Sequence, residues 1–232
     1  MRIVSPLDLA FDVPPYRLSG RVYGALLNHR AALDALGAAA QRPPYQAPPK
    51  APVLYVKPRN TLVGDGAAVA VPAEAGELEV GATLGIVVGR TACRVAAADA
   101  PAHVAGYVVA ADLCIPHASF YRPSVRLRAR DGFCPIGPRV VARGAVADPD
   151  ALAVRVAIDG APCQSTSTAG MVRPVARLLA DVSEFMTLSP GDVLLLGVAA
   201  GAPRARAGQR VEVGIEGLGA LRFTLVAEEV AA

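Results

Sequence analysis

Leu84-Gly85-Ile86-Val87-Val88-Gly89, and further on Gly106-Tyr107-Val108-Val109-Ala110, are short uncharged runs rich in β-branched residues and bounded by glycine. Runs of this length and composition read as strands, because a helix of comparable burial would be longer and poorer in valine. Outward from this pair the same signal recurs at residues 21–27, 53–56 and 68–71, the last closed by Pro72. Downstream it returns at 139–141, 152–158, 193–196, 211–215 and 221–226. Asp159-Gly160 between two β-prone runs is a hairpin signature, and Pro190-Gly191-Asp192 leads into a strand. Helical spacing is confined to residues 30–40 and 172–183, where Val175, Leu178, Leu179 and Val182 share one face, and to a turn or two at 96–104 interrupted by Pro101. Pro43, Pro44, Pro48, Pro49 and Pro52 exclude regular structure between the first helix and the second strand, leaving an ordered loop. Many short strands with few helices predict a β-dominated α+β fold.

With 53% hydrophobic and 19% charged positions in 232 residues, the chain can bury a substantial core, which excludes a disordered segment or a disulfide-stapled peptide. A formal charge of +3, spread over isolated arginines, gives no nucleic-acid footprint. Charges recur too often for a membrane span, and Asp8 and Asp12 break the only stretch resembling a signal peptide, so a cytoplasmic address is expected. Residues 1–19, with their prolines and mixed polarity, are expected to form an arm laid on another surface, and residues 20–232 a single domain. Cys93, Cys114, Cys134 and Cys163 are too far apart for a C-x-x-C site and read as reduced, mostly buried thiols. His29, His103 and His117 form no zinc-ligand pattern.

A set of motifs goes beyond fold class. Tyr55-Val56-Lys57-Pro58-Arg59-Asn60-Thr61, the run 84–89, Tyr107 with Asp112, Arg130-Asp131-Gly132-Phe133-Cys134-Pro135-Ile136-Gly137-Pro138, and Phe185 through Asp192 together resemble the fumarylacetoacetate hydrolase family in order and spacing, over residues 21–229. That resemblance implies a mixed β-sandwich or roll of the family's C-terminal-domain type, with few short helices. Within the family the likeness is to the isomerase/decarboxylase branch of 4-hydroxyphenylacetate (homoprotocatechuate) degradation, known both as a fused duplicated chain and as two separate subunits. Leu27-Asn28-His29-Arg30, residues 45–50, Gly81-Ala82-Thr83 and Ser119-Phe120-Tyr121-Arg122-Pro123 resemble its first half.

Active members of the family bind a divalent metal, Mg²⁺ or Mn²⁺, through E-x-E on a strand and a downstream Asp. Three hard oxygen donors suit such an ion and leave room for a chelating 2-oxo acid, whose enolate the metal stabilises. Counted back from Gly89, the two Glu positions fall on Gly81 and Thr83, while the Asp remains as Asp112. Glycine offers no donor and threonine a weak neutral one, so Asp112 is a residual ligand only. Glu77-Leu78-Glu79 has the right spacing four residues too early; an insertion before Leu84 would bring it into register, and otherwise both glutamates decorate the solvated entrance of the strand.

Other family positions also depart. The hydrolase His falls on Ala32, with His29 in a packing or hydrogen-bonding place; the family Lys becomes Arg128, a carboxylate binder rather than a proton carrier; and the late G-T-P segment reads Gly197-Val198-Ala199. Lys57, Arg122 and Arg128 are the substrate-binding candidates, Lys57 and Arg59 reading equally as a surface pair. Tyr121 reads as a core-edge residue and Asp131 as a backbone anchor. The resemblance implies a chain that lacks the metal site and supports a catalytic sister chain, or a second copy of itself, acting on 5-oxopent-3-ene-1,2,5-tricarboxylate and 2-hydroxyhepta-2,4-diene-1,7-dioate, with the metal on the partner. A self-sufficient metal enzyme using Asp112 with Glu77 or Glu79, and a dicarboxylate-binding homologue without turnover, remain open alternatives.

Overall fold

The computed structural model of the chain describes residues 9–11, 14, 17–121 and 125–228. Its strands are β1 (Ala10–Phe11), β2 (Val22–Leu26), β3 (Val53–Lys57), β4 (Leu62–Val63), β5 (Ala67–Val71), β6 (Leu78–Val88), β7 (Val104–Cys114), β8 (Cys134–Ala142), β9 (Ala153–Ile158), β10 (Ala161–Ser167), β11 (Val193–Leu195), β12 (Arg204–Ala205), β13 (Arg210–Ile215) and β14 (Gly219–Ala227). The α-helices are α1 (Arg30–Leu36), α2 (Val125–Arg128) and α3 (Val175–Ser183). One sheet runs β1-β8-β7-β6-β11-β2-β3, with β12 on β6 and β4 on β8; the other runs β10-β9-β13-β14-β5.

The central pair β6 and β7 is longer than its apolar runs announced, each strand having eleven residues. Both faces of the pair are covered, which is why the runs at 84–88 and 106–110 are apolar on successive rather than alternate residues. On one face Leu78, Val80, Leu84, Ile86, Tyr107, Val109 and Leu113 enter the main core, shared with Val156, Val213, Leu221 and Phe223 of the five-stranded sheet. On the other face Val87, Val108 and Ala110 join a smaller core with Val140 and Val193. Farther along that second face the apolar residues give way to Thr83, Gly81, Glu79, Asp112 and Cys114.

Asp159 (φ 52°) and Gly160 (φ 80°) make the expected tight turn between β9 and β10. Helix α3 buries Val175, Leu178, Leu179 and Val182 as its spacing predicts, but begins at Val175 and not at 172. The N–H groups of Val172 and Arg173 are donated to the carbonyl and side chain of Asn28 (2.7 and 3.0 Å), and Asp150 caps Val175 N at 2.8 Å. Residues 42–52 contain no helix or strand. Of the expected N-terminal arm, most residues lie outside those described; Ala10–Phe11 runs parallel to β8 of the same chain. Among the described residues no helix is long and apolar enough to cross a membrane.

Candidate functional site

In an antiparallel ladder, residues directly opposite one another project from the same face. Gly81 lies opposite Asp112, Thr83 opposite Ala110 and Glu79 opposite Cys114, so positions 79, 81 and 83 share the Asp112 face. The register is unbroken from Glu79 to Val87, so no looped-out insertion carries Glu77 and Glu79 to positions 81 and 83. Glu77 stays at the strand entrance, held by Arg204 and Arg206 at 2.8 and 3.3 Å. Glu79 corrects the expectation of a solvated entrance: it lies inside the ladder, and its half-buried side chain lines a pocket. Burial raises its carboxyl pKa, opposed by the charges of Arg128 and His117.

Asp112 is 3% exposed, with a cation against each carboxylate oxygen. Its Oδ2 accepts hydrogen bonds from Tyr55 Oη (2.5 Å) and Arg128 Nη1 (2.8 Å), and Lys57 Nζ sits 2.7 Å from Oδ1. Tyr55 and Lys57 reach it from β3 because they are alternate residues of one strand and so share a face. Burial alone would raise the Asp112 pKa, but Lys57 and Arg128 outweigh it and hold it below the usual carboxylate value. The Tyr55 phenol is driven well above its ordinary value by burial and the neighbouring Asp112 charge.

Lys57 is neither one of a surface pair nor open to substrate. It is wholly buried, and Nζ donates its three protons to the carbonyls of Leu113 (2.7 Å), Arg128 (2.8 Å) and Phe133 (2.9 Å), leaving only a charge contact with Asp112. Arg128, 5% exposed, lies 4.9 Å from the Tyr55 ring centroid, and its Nε is buried without a hydrogen-bond partner among the described residues. Burial opposes its charge, but Asp112 prevails and raises its pKa. Arg122 lies outside the described residues.

The space beside Gly81 is filled. A Cβ there would fall 2.7 Å from Val198 Cγ2 and 2.8 Å from the Asp112 carbonyl oxygen, so no larger side chain enters without displacing the 197–201 loop. Thr83 accepts the Gly197 N–H on Oγ1 at 3.1 Å, and Asn28 Nδ2 donates to Leu196 O at 2.7 Å, which together pin that loop over the strand. Thr83 therefore anchors the backbone that covers the strand, and Gly81 leaves room for Val198. What remains is a cavity of about 290 Å³, walled by Leu27, Leu36, Phe120 and Val198 and floored by Asp112, Arg128 and Glu79.

A model of the fumarylacetoacetate hydrolase C-terminal family matches residues 21–226. The chain belongs to the fumarylacetoacetate hydrolase family. It is 41% identical over 211 residues to the 4-hydroxyphenylacetate degradation bifunctional isomerase/decarboxylase of Escherichia coli, a match covering 91% of this chain and 48% of that protein. The chain thus spans about half the length of the curated relatives it matches first. Its structure is similar to that of the 5-carboxymethyl-2-hydroxymuconate delta-isomerase of Mycobacterium smegmatis (TM-score 0.79, 28% identity, 93% of this chain and 82% of that one). It is also similar to the maleylpyruvate hydrolase of Sphingobium sp. SYK-6, solved with manganese(II) and pyruvate (TM-score 0.77, 25% identity, 94% and 74%).

The residues of this fumarylacetoacetate hydrolase family chain do not fit a divalent ion. Hard cations need several oxygen donors, preferably anionic. Gly81 supplies none, the Thr83 hydroxyl is spent on Gly197, and the single carboxylate of Asp112 is already neutralised by two cations. Among the described residues no three His, Cys, Asp or Glu side chains are grouped to hold a metal.

The sequence reading missed Tyr55 and Asn28 as site-building residues. The alternate spacing of Tyr55 and Lys57 on a predicted strand could have found the first; nothing local marks the second, whose partners are Leu196 and Arg173. His29 packs against Gly170, 7% exposed, as a core group. Asp131 accepts from Asn60 Nδ2 at 2.7 Å, an anchoring role. The cysteine expectation needs correction: all are free, but Cys93 and Cys163 are exposed, while Cys114 and Cys134 are buried.

Proposed function

We propose that this chain is the metal-free subunit of a decarboxylase/isomerase of homoprotocatechuate catabolism, pairing with a family copy that holds Mg²⁺ or Mn²⁺. The substrates would be 5-oxopent-3-ene-1,2,5-tricarboxylate and 2-hydroxyhepta-2,4-diene-1,7-dioate, turned over on the sister chain in the cytoplasm. One observation carries the reading. The ladder position opposite Asp112 holds Gly81 and the next on the same face holds Thr83, and the loop that Thr83 bonds lays Val198 where a side chain at position 81 would project.

Identity to a protein named as bifunctional, together with coverage of half its length, supports a chain that works beside a second copy. A duplicated family chain can lose its ligands without losing its fold, because pseudo-symmetric pairing keeps an interface to be served after the chemistry moves to one copy. Here Lys57 and Arg128 balance the carboxylate that survives, so the core tolerates the loss.

The test is a calorimetric Mg²⁺ or Mn²⁺ titration of the purified chain, with decarboxylation of the tricarboxylate followed alone, with the sister chain, and after EDTA. The expected result is no metal binding and no turnover alone, with EDTA-sensitive turnover once the sister chain is present. Tight metal binding with turnover by the chain alone would overturn the proposal.

A further inference from the structure

We infer that His29 is a proton-operated catch for helix α1, and that its protonation in mild acid releases the helix and opens the cavity that α1 roofs. The inference concerns access to the cavity and stands whether or not a sister chain carries the chemistry.

Helix α1 does little to hold itself together. It has seven residues, buries none of them, and lacks a side-chain cap, an acidic residue in its first turn and a basic one in its last. A helix so short and uncapped depends on support from outside. That support has two parts. Leu33 and Leu36 pack on Leu26, Leu27 and Tyr55, and the carbonyl of His29, the residue before the helix, accepts the N–H groups of Ala32 and Leu33 at 3.0 Å while His29 bridges to Met171. Leu27, two residues earlier, has a φ of 57°, a costly conformation for a bulky side chain that release of the helix would relieve. Ala32, Ala35 and Leu36 line the cavity over Asp112, so loss of the helix removes a wall.

The surroundings of the imidazole suit only its neutral form. The ring is 7% exposed and lies against Gly170, where a Cβ would fall 2.7 Å from Nε2; Thr166 Oγ1 is 3.5 Å from the same nitrogen. Nδ1 is buried without a hydrogen-bond partner among the described residues. An imidazolium carries a proton on both nitrogens, so with the helix in place one buried donor would have no acceptor. No carboxylate stands by to offset the charge. Strand β10 and residues 168–170 contain no Asp, Glu, Lys or Arg, and Cys163 of β10 is exposed. Arg30 and Asp34 on α1 are exposed, Arg173 and Asp181 pair with each other at 2.8 Å, and Asp150 caps Val175. None of these groups moves the His29 pKa, which burial lowers against a smaller opposing effect of the Ser167 backbone. The proton therefore binds the released helix in preference to the docked one, and release becomes easier as pH falls below about 6.5.

The experiment is amide hydrogen exchange read by mass spectrometry from about pH 7.5 to 5.5, corrected for intrinsic exchange rates, with α3 as the internal control. Exchange in α1 is expected to rise by up to about tenfold over that range, the limit for one proton with a released-state pKa of about 6.5, while α3 stays constant. His29→Gln should flatten the α1 profile. Gly170→Ala, which crowds the same ring without changing any titrating group, should raise α1 exchange already at pH 7.5. Opening of the cavity is read at Cys114, which lines it, in a Cys93→Ser/Cys163→Ser chain labelled with a dipyridyl disulfide that reacts in acid. Its rate relative to the denatured chain should rise with α1 exchange, and that of buried Cys134, which is outside the cavity lining, should not. A flat α1 profile, a rise shared by α3, a rise that survives in His29→Gln, or no effect of Gly170→Ala would overturn the inference. Labelling of Cys114 that stays constant while α1 exchange rises would overturn the opening of the cavity.

Discussion

Lys57 Nζ lies 2.7 Å from Asp112 Oδ1 while its three protons go to main-chain carbonyls of Leu113, Arg128 and Phe133. The ammonium thus joins β3, β7 and the end of α2, and Asp112 supplies the charge that makes its burial tolerable. Removing one member of a buried pair leaves the other uncompensated, which typically costs about 3–5 kcal/mol. Asp112→Asn is therefore expected to destabilise the chain by an amount of that order in urea unfolding, whether or not metal is present. An Asp112→Asn chain as stable as the parent would mean that the cluster is dispensable.

Acid should act through the same carboxylate. Its pKa in the folded chain lies below the unfolded value of about 3.9, so its contribution is complete above that value and is lost as pH falls through the folded-state pKa. His29 adds a separate window. Burial lowers its pKa, so the unfolded chain takes up the proton first, and stability begins to fall as pH drops below about 6.5. Unfolding free energy measured from pH 8 to 2 should fall in two stages, with His29→Gln removing the upper one and Asp112→Asn the lower. A single acid transition unaffected by either substitution would contradict both assignments.

Much of this was legible in the residues, and what was hidden was non-local. The glycine-bounded runs at 84–88 and 106–110 announced the central strands, but their polar halves, 78–83 and 111–114, carry Glu79 and Asp112 and look unlike strand until the second face is known to become a pocket. Gly81 and Thr83 stand where the family resemblance implies carboxylates, which is legible by counting back from Gly89. That Val198, more than a hundred residues away, fills the space could not be read, because the contact depends on how the 197–201 loop is seated by Asn28 and Thr83. Lys57 beside Pro58 and Arg59 looks like a surface segment, and only the parity of Tyr55 and Lys57 on one strand face hints that it turns inward.

The fit of Val198 over Gly81 is testable by a double-mutant cycle. Gly81→Ala forces a methyl to 2.7 Å from Val198 Cγ2 and 2.8 Å from the Asp112 carbonyl, and overpacking of this kind costs about 1–3 kcal/mol. Val198→Ala alone should cost about 1 kcal/mol or more through lost apolar burial. The two together should cost less than the sum of the single changes by at least about 0.5 kcal/mol, since the second relieves part of the clash made by the first. Strict additivity would show that the methyl and the Val198 side chain do not meet.

Thiol chemistry offers an independent check on the strand faces. Cys114 and Cys134 sit on β7 and β8 with pKa values pushed up to about 12 by burial, so almost no thiolate is present near neutrality. Cys93 and Cys163 are exposed. A disulfide reagent at pH 8 should label two thiols quickly in the native chain and all four in denaturant. Peptide mapping should place the native label on Cys93 and Cys163. Rapid native labelling of Cys114 would mean that the pocket floor opens to solvent, and the packing of Asp112, Arg128 and Val198 around it would then have to be looser than the distances indicate.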